Sequence, residues 1–113
     1  GKQLLEIPGD SLRGQNLSNQ RLLRVDFRGQ DLTETNLEGA ICDGGDFTDA
    51  ILRRARCSRA FFRNAKCIRL DARDADLERV TLDGSDVTEM RINSRTRDFR
   101  MSTQNILGRW RYE

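Results

Sequence analysis

Three cysteines, Cys42, Cys57 and Cys67, stand in a 113-residue chain that contains no histidine. A thiol nucleophile needs a base beside it, and a zinc centre needs several ligands at short spacing. Neither condition is met here. The commonest general acid/base is missing, and no Ser or Cys can pair with one. Asp43-Gly44-Gly45-Asp46 sets two carboxylates around glycines but lacks the ligand spacing of a calcium loop. Asn16-Leu17-Ser18 matches a glycosylation sequon, and it also fits the repeat described below. No phosphate-binding glycine loop or dinucleotide fingerprint is present. The strongest chemical signal is electrostatic. Arg53, Arg54, Arg56, Arg59, Arg63, Lys66 and Arg69 fall in one stretch that contains no acid, a composition suited to phosphate or nucleic acid.

The whole chain weakens that signal. It carries 20 Lys+Arg against 18 Asp+Glu, a net charge of +2, so no large single-sign field surrounds it. A nucleic-acid partner is therefore not expected, and neither is a strongly acidic mimic. Leu, Ile, Val and Phe supply 27 of 113 residues, enough for a core but a thin one. The length suits one small domain. No apolar run approaches a membrane span, and no signal-peptide pattern is seen, so no membrane partner is expected. Three cysteines cannot all pair, which favours a reducing, cytoplasmic setting, with a secreted effector as the other reading. The start at Gly1 suggests a processed chain or a piece of a longer one.

The elements that position these residues follow from a period of five. Steps of five from Leu12 to Ile92 meet only apolar residues, 17 in succession. At 36% apolar composition the chance of this in one register is about 3 in 10⁸, so the repeat is real. A period of five belongs neither to a helix nor to a flat strand. The residue two places before each apolar one is often small, as in Thr35, Ala40, Gly45, Ala50, Ala55, Ala60, Ala65, Ala75 and Ser85. The next is often Asp or Asn, as in Asn16, Asp26, Asp31, Asn36, Asp46, Asp71, Asp76 and Asp86.

Segments such as Gly45-Asp46-Phe47-Thr48-Asp49 and Ala75-Asp76-Leu77-Glu78-Arg79 resemble the pentapeptide repeat family, whose pattern is A(D/N)LXX. The resemblance covers residues 10 to 94. It implies an all-β fold, a right-handed quadrilateral β-helix (β-solenoid) of about four coils. Each pentapeptide would make one side, with its first and third residues inward. Leu70 and Ala72 have exchanged sizes within one pentapeptide, the volume-conserving swap that a packed interior tolerates. Gln15, Gln20 and Gln30 stand where small inward residues belong. Either that end is looser, or their amides bond to interior backbone.

With 20 residues per coil, residues 20 apart stack. Four acid–base–acid ladders are then expected: Glu34–Arg54–Asp74, Asp43–Arg63–Asp83, Asp46–Lys66–Asp86 and Asp49–Arg69–Glu89. They would neutralise the basic stretch within the molecule. Arg59 and Arg79 are left as the most available cations. The cysteines all fall on the central inward position, where a thiol packs as a small hydrophobe. Leu23, Ile41, Ile51, Phe61 and Ile68 fall on outward positions. Ile41 and Phe61 stack beside Arg63, and with Ile51 and Ile68 they form the candidate partner-binding residues.

Residues 1–11 read as an N-terminal cap or remnant, with Leu4, Leu5 and Ile7 available to cover the first coil. Residues 12–94 form the repeat, and residues 95–113 a C-terminal element. In this tail Phe99, Ile106, Leu107 and Trp110 are expected to cap the open end, with a helix over part of Gln104–Trp110. Self-association into a homodimer is the second reading of the tail, and nucleic-acid binding by its Arg/aromatic mixture the third. A rigid rod without a cleft points to a non-catalytic protein-binding or scaffold module, with no cofactor and a protein partner of unknown identity. It could be one domain of a larger bacterial protein or effector. The alternative, implied by the family resemblance, is a DNA-mimicking inhibitor or protector of a type II topoisomerase such as DNA gyrase.

Overall fold

The computed structural model of the chain describes residues 11–97 and 105–113. The expected N-terminal cap residues Leu4, Leu5 and Ile7, and Phe99 of the tail, lie outside the described residues. No helix occurs among those described, so none is long and apolar enough to cross a membrane. The architecture is a β-helix. Isolated parallel bridges join residues 20 apart on four successive sides, as in Asn16↔Asn36↔Arg56, Arg21↔Ile41↔Phe61, Asp26↔Asp46↔Lys66 and Asp31↔Ile51↔Asp71.

Each pentapeptide repeats one backbone arrangement. The fifth residue takes a left-handed conformation, as at Asn19 (φ 59°), Glu34 (φ 61°) and Arg79 (φ 59°). The next N–H then closes a turn onto the preceding third-position carbonyl, as from Ala40 to Leu37 at 3.0 Å. These turns are the four corners. Between them the second-position N–H reaches back one coil (Asn36 N to Gln15 O, 2.9 Å). The third and fifth reach forward (Leu17 N to Asn36 O, 2.7 Å; Asn19 N to Glu38 O, 2.8 Å).

That accounting leaves the fourth-position N–H without a backbone partner, and the sequence pattern supplies one. Asn16, Asp26, Asp31, Asn36, Asp46, Asp71, Asp76 and Asp86 each accept the N–H two residues on, at 3.0–3.2 Å. Where Thr is fourth, its hydroxyl adds a second bond to the same oxygen, as from Thr48 to Asp46 at 2.6 Å. The Asp/Asn preference thus serves the turn.

The third residues fill the interior from Leu12 to Ile92. Phe27, Phe47 and Phe62 meet edge to face, with centroids 5.4 and 5.2 Å apart. Leu70 and Ala72 are both buried, so the exchange of sizes is accommodated inside. Val80 and Met90 enlarge the first position in the same region. What remains is an apolar cavity of about 10 Å³ among Leu52, Phe62, Cys67, Leu70, Leu82 and Met90. It has no polar group to hold a water. Gln15, Gln20 and Gln30 are exposed, whereas the first-position residues from Thr35 to Met90 are buried. Their carbonyls still carry the ladder, to Asn36, Ile41 and Ile51. The regular backbone therefore already includes the Gln-bearing coil. Val25, at the same position of that coil, is buried.

Past Asn93 the pairing continues with a shifted register. Bridges join Asp76↔Arg97 and Asp86↔Leu107, 21 apart, after an extra residue is absorbed in the turn from Asn93 to Thr96. The offset returns to 20 where β1 (Arg91–Ile92) pairs in parallel with β2 (Arg111–Tyr112). The expected helix is corrected over residues 105–110, which extend as a further rung; Gln104 lies outside the described residues. Leu107 accepts from Val87 and donates to Ser85, both at 2.8 Å, which a helical turn could not do. Ile106 and Trp110 pack against the core. Gly108, between them, has no room for a Cβ, which would approach Thr88 Cα to 2.8 Å.

Candidate partner-binding face

One side of the helix departs from the Asp/Asn rule. Its second positions are Arg21, Ile41, Phe61 and Thr81, joined by successive bridges. Its fourth positions are Leu23, Asp43, Arg63 and Asp83. With apolar second residues, the turn N–H must be satisfied otherwise. The Arg63 N–H finds Asp43 Oδ1 on the coil before it, at 3.0 Å. The Arg63 guanidinium donates to Asp43 Oδ2 from Nε at 3.0 Å and from Nη2 at 2.7 Å. Its carbon lies 5.2 Å from the centroid of the Phe61 ring, a cation–π contact. The hydrogen bond to Asp43, with its charge and that of Asp83, raises the Arg63 pKa. Arg63 is therefore a fixed cation beside Phe61.

The five candidate residues do not form one patch. Ile41, Phe61 and Arg63 share this side. Ile51 is bridged between Asp31 and Asp71, two sides away, and Ile68 stands on the next side, in line with Thr48 and Thr88. None of the four apolar residues is fully exposed; each is half-buried by neighbours on the adjoining coils. Among the tail residues, Ile106 and Trp110 turn toward the core and Leu107 is 60% exposed. Tyr112, which sequence reasoning did not single out, is 68% exposed. Its exposure follows from the closing register, which periodicity cannot show.

The basic stretch is largely neutralised. Arg53 reaches Asp74 at 2.9 Å, Arg63 reaches Asp43 at 2.7 Å, and Arg69 reaches Asp49 at 2.7 Å. Arg54 and Arg56 lie 3.9 Å from Glu34 and Glu38. The expected three-membered ladders are realised as pairs. Asp74 goes to Arg53 and Asn93, Glu89 pairs with Arg111 at 3.3 Å, and Asp46 takes Thr48 and Arg28 in place of Lys66. A carboxylate needs only one well-placed fork, and the left-handed corners aim Arg69 at one neighbouring coil.

The thiols are enclosed. Burial pushes Cys42 and Cys57 well up and Cys67 up to about 12, so none offers a thiolate near neutrality. Among the described residues no group of His, Cys, Asp and Glu could hold a metal ion.

The fold thus defines a five-residue solenoid, and the comparisons name its family. The model of the pentapeptide repeats family matches residues 11–41 and 31–66, with eight copies of the repeat. The chain belongs to the pentapeptide repeat family. Among solved structures it is similar to a pentapeptide repeat protein of the Arabidopsis thaliana thylakoid lumen. Identity is 27% and the TM-score 0.51, over 85% of this chain and 59% of that one. It therefore spans about three fifths of that protein's length. It is also similar to Rfr23 of the cyanobacterium Cyanothece 51142, at 19% identity and TM-score 0.35 over 88% and 85% of the two chains. QnrB1, a plasmid-mediated fluoroquinolone resistance protein, matches at 18% identity and TM-score 0.38 over 80% and 58%. No curated protein matches.

Proposed function

We propose that this chain is a non-catalytic protein-binding or scaffold module. Its body is a right-handed helix of about four coils, closed at one end by residues 105–113. The partner surface centres on Ile41, Phe61 and Arg63. One observation carries this reading. Ile41 and Phe61 lie on the one side with no Asp or Asn at its bridged second positions (Arg21, Ile41, Phe61 and Thr81), and they place two stacked apolar side chains where eight other pentapeptides carry the Asp/Asn that satisfies the turn. That exchange contributes nothing to the backbone, so its value lies in the surface it makes. The DNA-mimic alternative has less support, because the basic stretch from Arg53 to Arg69 interrupts any continuous acidic surface.

The test compares the wild-type chain with Ile41→Asp/Phe61→Asp, once both show the same melting curve, as baits in a lysate. A captured protein is then purified and its affinity for each bait measured alone. Binding at least about tenfold weaker to the variant is the expected result. Equal binding, or no protein captured, overturns the reading.

A further inference from the structure

The four corners differ in charge. Read along the helix they are Gly14–Glu34–Arg54–Asp74, Asn19–Gly39–Arg59–Arg79, Arg24–Gly44–Asn64–Gly84 and Gly29–Asp49–Arg69–Glu89. Two of them set each arginine against an acid, and one is mostly Gly and Asn. The corner of Arg59 and Arg79 alone stacks two like charges. Both arginines are exposed, and neither has an ion pair or side-chain hydrogen bond among the described residues. Like charges facing each other across a ladder destabilise it, and a shared anion would remove that cost.

A recess of about 150 Å³ lies between them, lined by Ser58, Arg59, Glu78 and Arg79. With Glu78 in the lining its formal charge is +1, which suits one carboxylate better than a phosphate dianion. Glu38 and Asp43 pair with Arg56 and Arg63, so the recess offers one local positive site and not the continuous basic track that an extended polyanion such as nucleic acid needs. Around the corner, two residues on from Arg59, begins the Phe61 and Ile41 column.

We propose that Arg59 and Arg79 together hold the carboxylate of one Asp or Glu side chain on a protein partner, whose adjacent apolar side chain lies on Phe61 and Ile41. The proposal rests on the partner surface proposed above and adds the partner's chemistry: an extended segment with an acidic residue beside a large apolar one. Each guanidinium carries a planar fork of N–H donors that matches a carboxylate.

The probe is a phage-displayed library of random linear peptides, selected on the full chain. Selected peptides are synthesised and titrated against wild type, Arg59→Gln/Arg79→Gln and Ile41→Asp/Phe61→Asp, all with matched melting curves. The expected peptides join Asp or Glu to Leu, Ile, Phe or Trp, and bind both variants at least about tenfold more weakly. Peptides that need Ile41 and Phe61 but ignore the arginines overturn this inference and leave the surface reading standing. Peptides indifferent to both variants, or no enrichment, overturn both. Tighter binding of a single-stranded DNA oligonucleotide than of any peptide, lost in the arginine variant, also overturns the carboxylate site.

Discussion

Asp43 accepts three hydrogen bonds from Arg63, one from its backbone N–H at 3.0 Å and two from its guanidinium at 3.0 and 2.7 Å. The pair joins two coils through both main chain and side chain, where Arg53–Asp74 and Arg69–Asp49 use side chains alone. The Arg63 side chain is half exposed, so screening limits what the charge contributes. A double-mutant cycle on Asp43→Ala and Arg63→Ala should give a small favourable coupling that shrinks as salt is added. Arg63→Glu should lower the melting temperature, and more so at about 10 mM than at about 500 mM salt. Melting that ignores salt in that variant would remove charge from the account.

Gly84 and Gly29 both hold the fifth position of a pentapeptide, on different corners, and face different neighbours. Both are left-handed, at φ 75° and 68°. A Cβ on Gly84 would run into the Asn64 side-chain amide, whereas one on Gly29 meets nothing within 4 Å. Gly29→Ala should cost about 1 kcal/mol, the left-handed penalty alone. Gly84→Ala should cost only a few tenths of a kcal/mol more than about 1 kcal/mol, because the exposed Asn64 amide can turn to another rotamer. Pairing it with Asn64→Ala should bring the cost back toward that of Gly29→Ala. Chemical denaturation of the four proteins checks this, and a Gly84→Ala cost several-fold that of Gly29→Ala would contradict the packing seen here.

Acid should unfold the helix through its carboxylates. Hydrogen bonds from Thr33, Arg69, Asn93 and Arg91 hold Asp31, Asp49, Asp74 and Glu113 below the ordinary range. For Asp71, burial pushes upward, and the bonds from Arg73 more than offset it. A folded pKa below the unfolded one means that the ionised form favours the fold. The contribution is complete above the unfolded pKa of about 4 and is lost as pH falls through the lower folded values. The melting temperature should be level from about pH 8 to pH 5 and fall below about pH 4. A melting temperature unchanged at about pH 2 would refute the linkage.

The five-residue period by itself determined that the third residues are inside and that residues 20 apart are neighbours. Leu12 to Ile92 and the Ile41–Phe61 stack follow from it, because a repeating backbone converts sequence interval directly into position. The same period identified the Asp/Asn column without its purpose, which became visible only when the unpaired fourth-position N–H was located. What tertiary structure alone decided lies where the period breaks or where several neighbours compete. The ladder resumes at Arg97, Leu107 and Arg111 because one extra residue after Asn93 is balanced by one fewer before Arg111, and no interval in the sequence announces that. Each arginine's choice of acid depends on which corner aims its side chain, so Asp74 binds Arg53 while Arg54 is left facing Glu34. The isolation of Arg59 and Arg79 was legible as a gap in the ladders, and their shared recess with Glu78 required the folded corner.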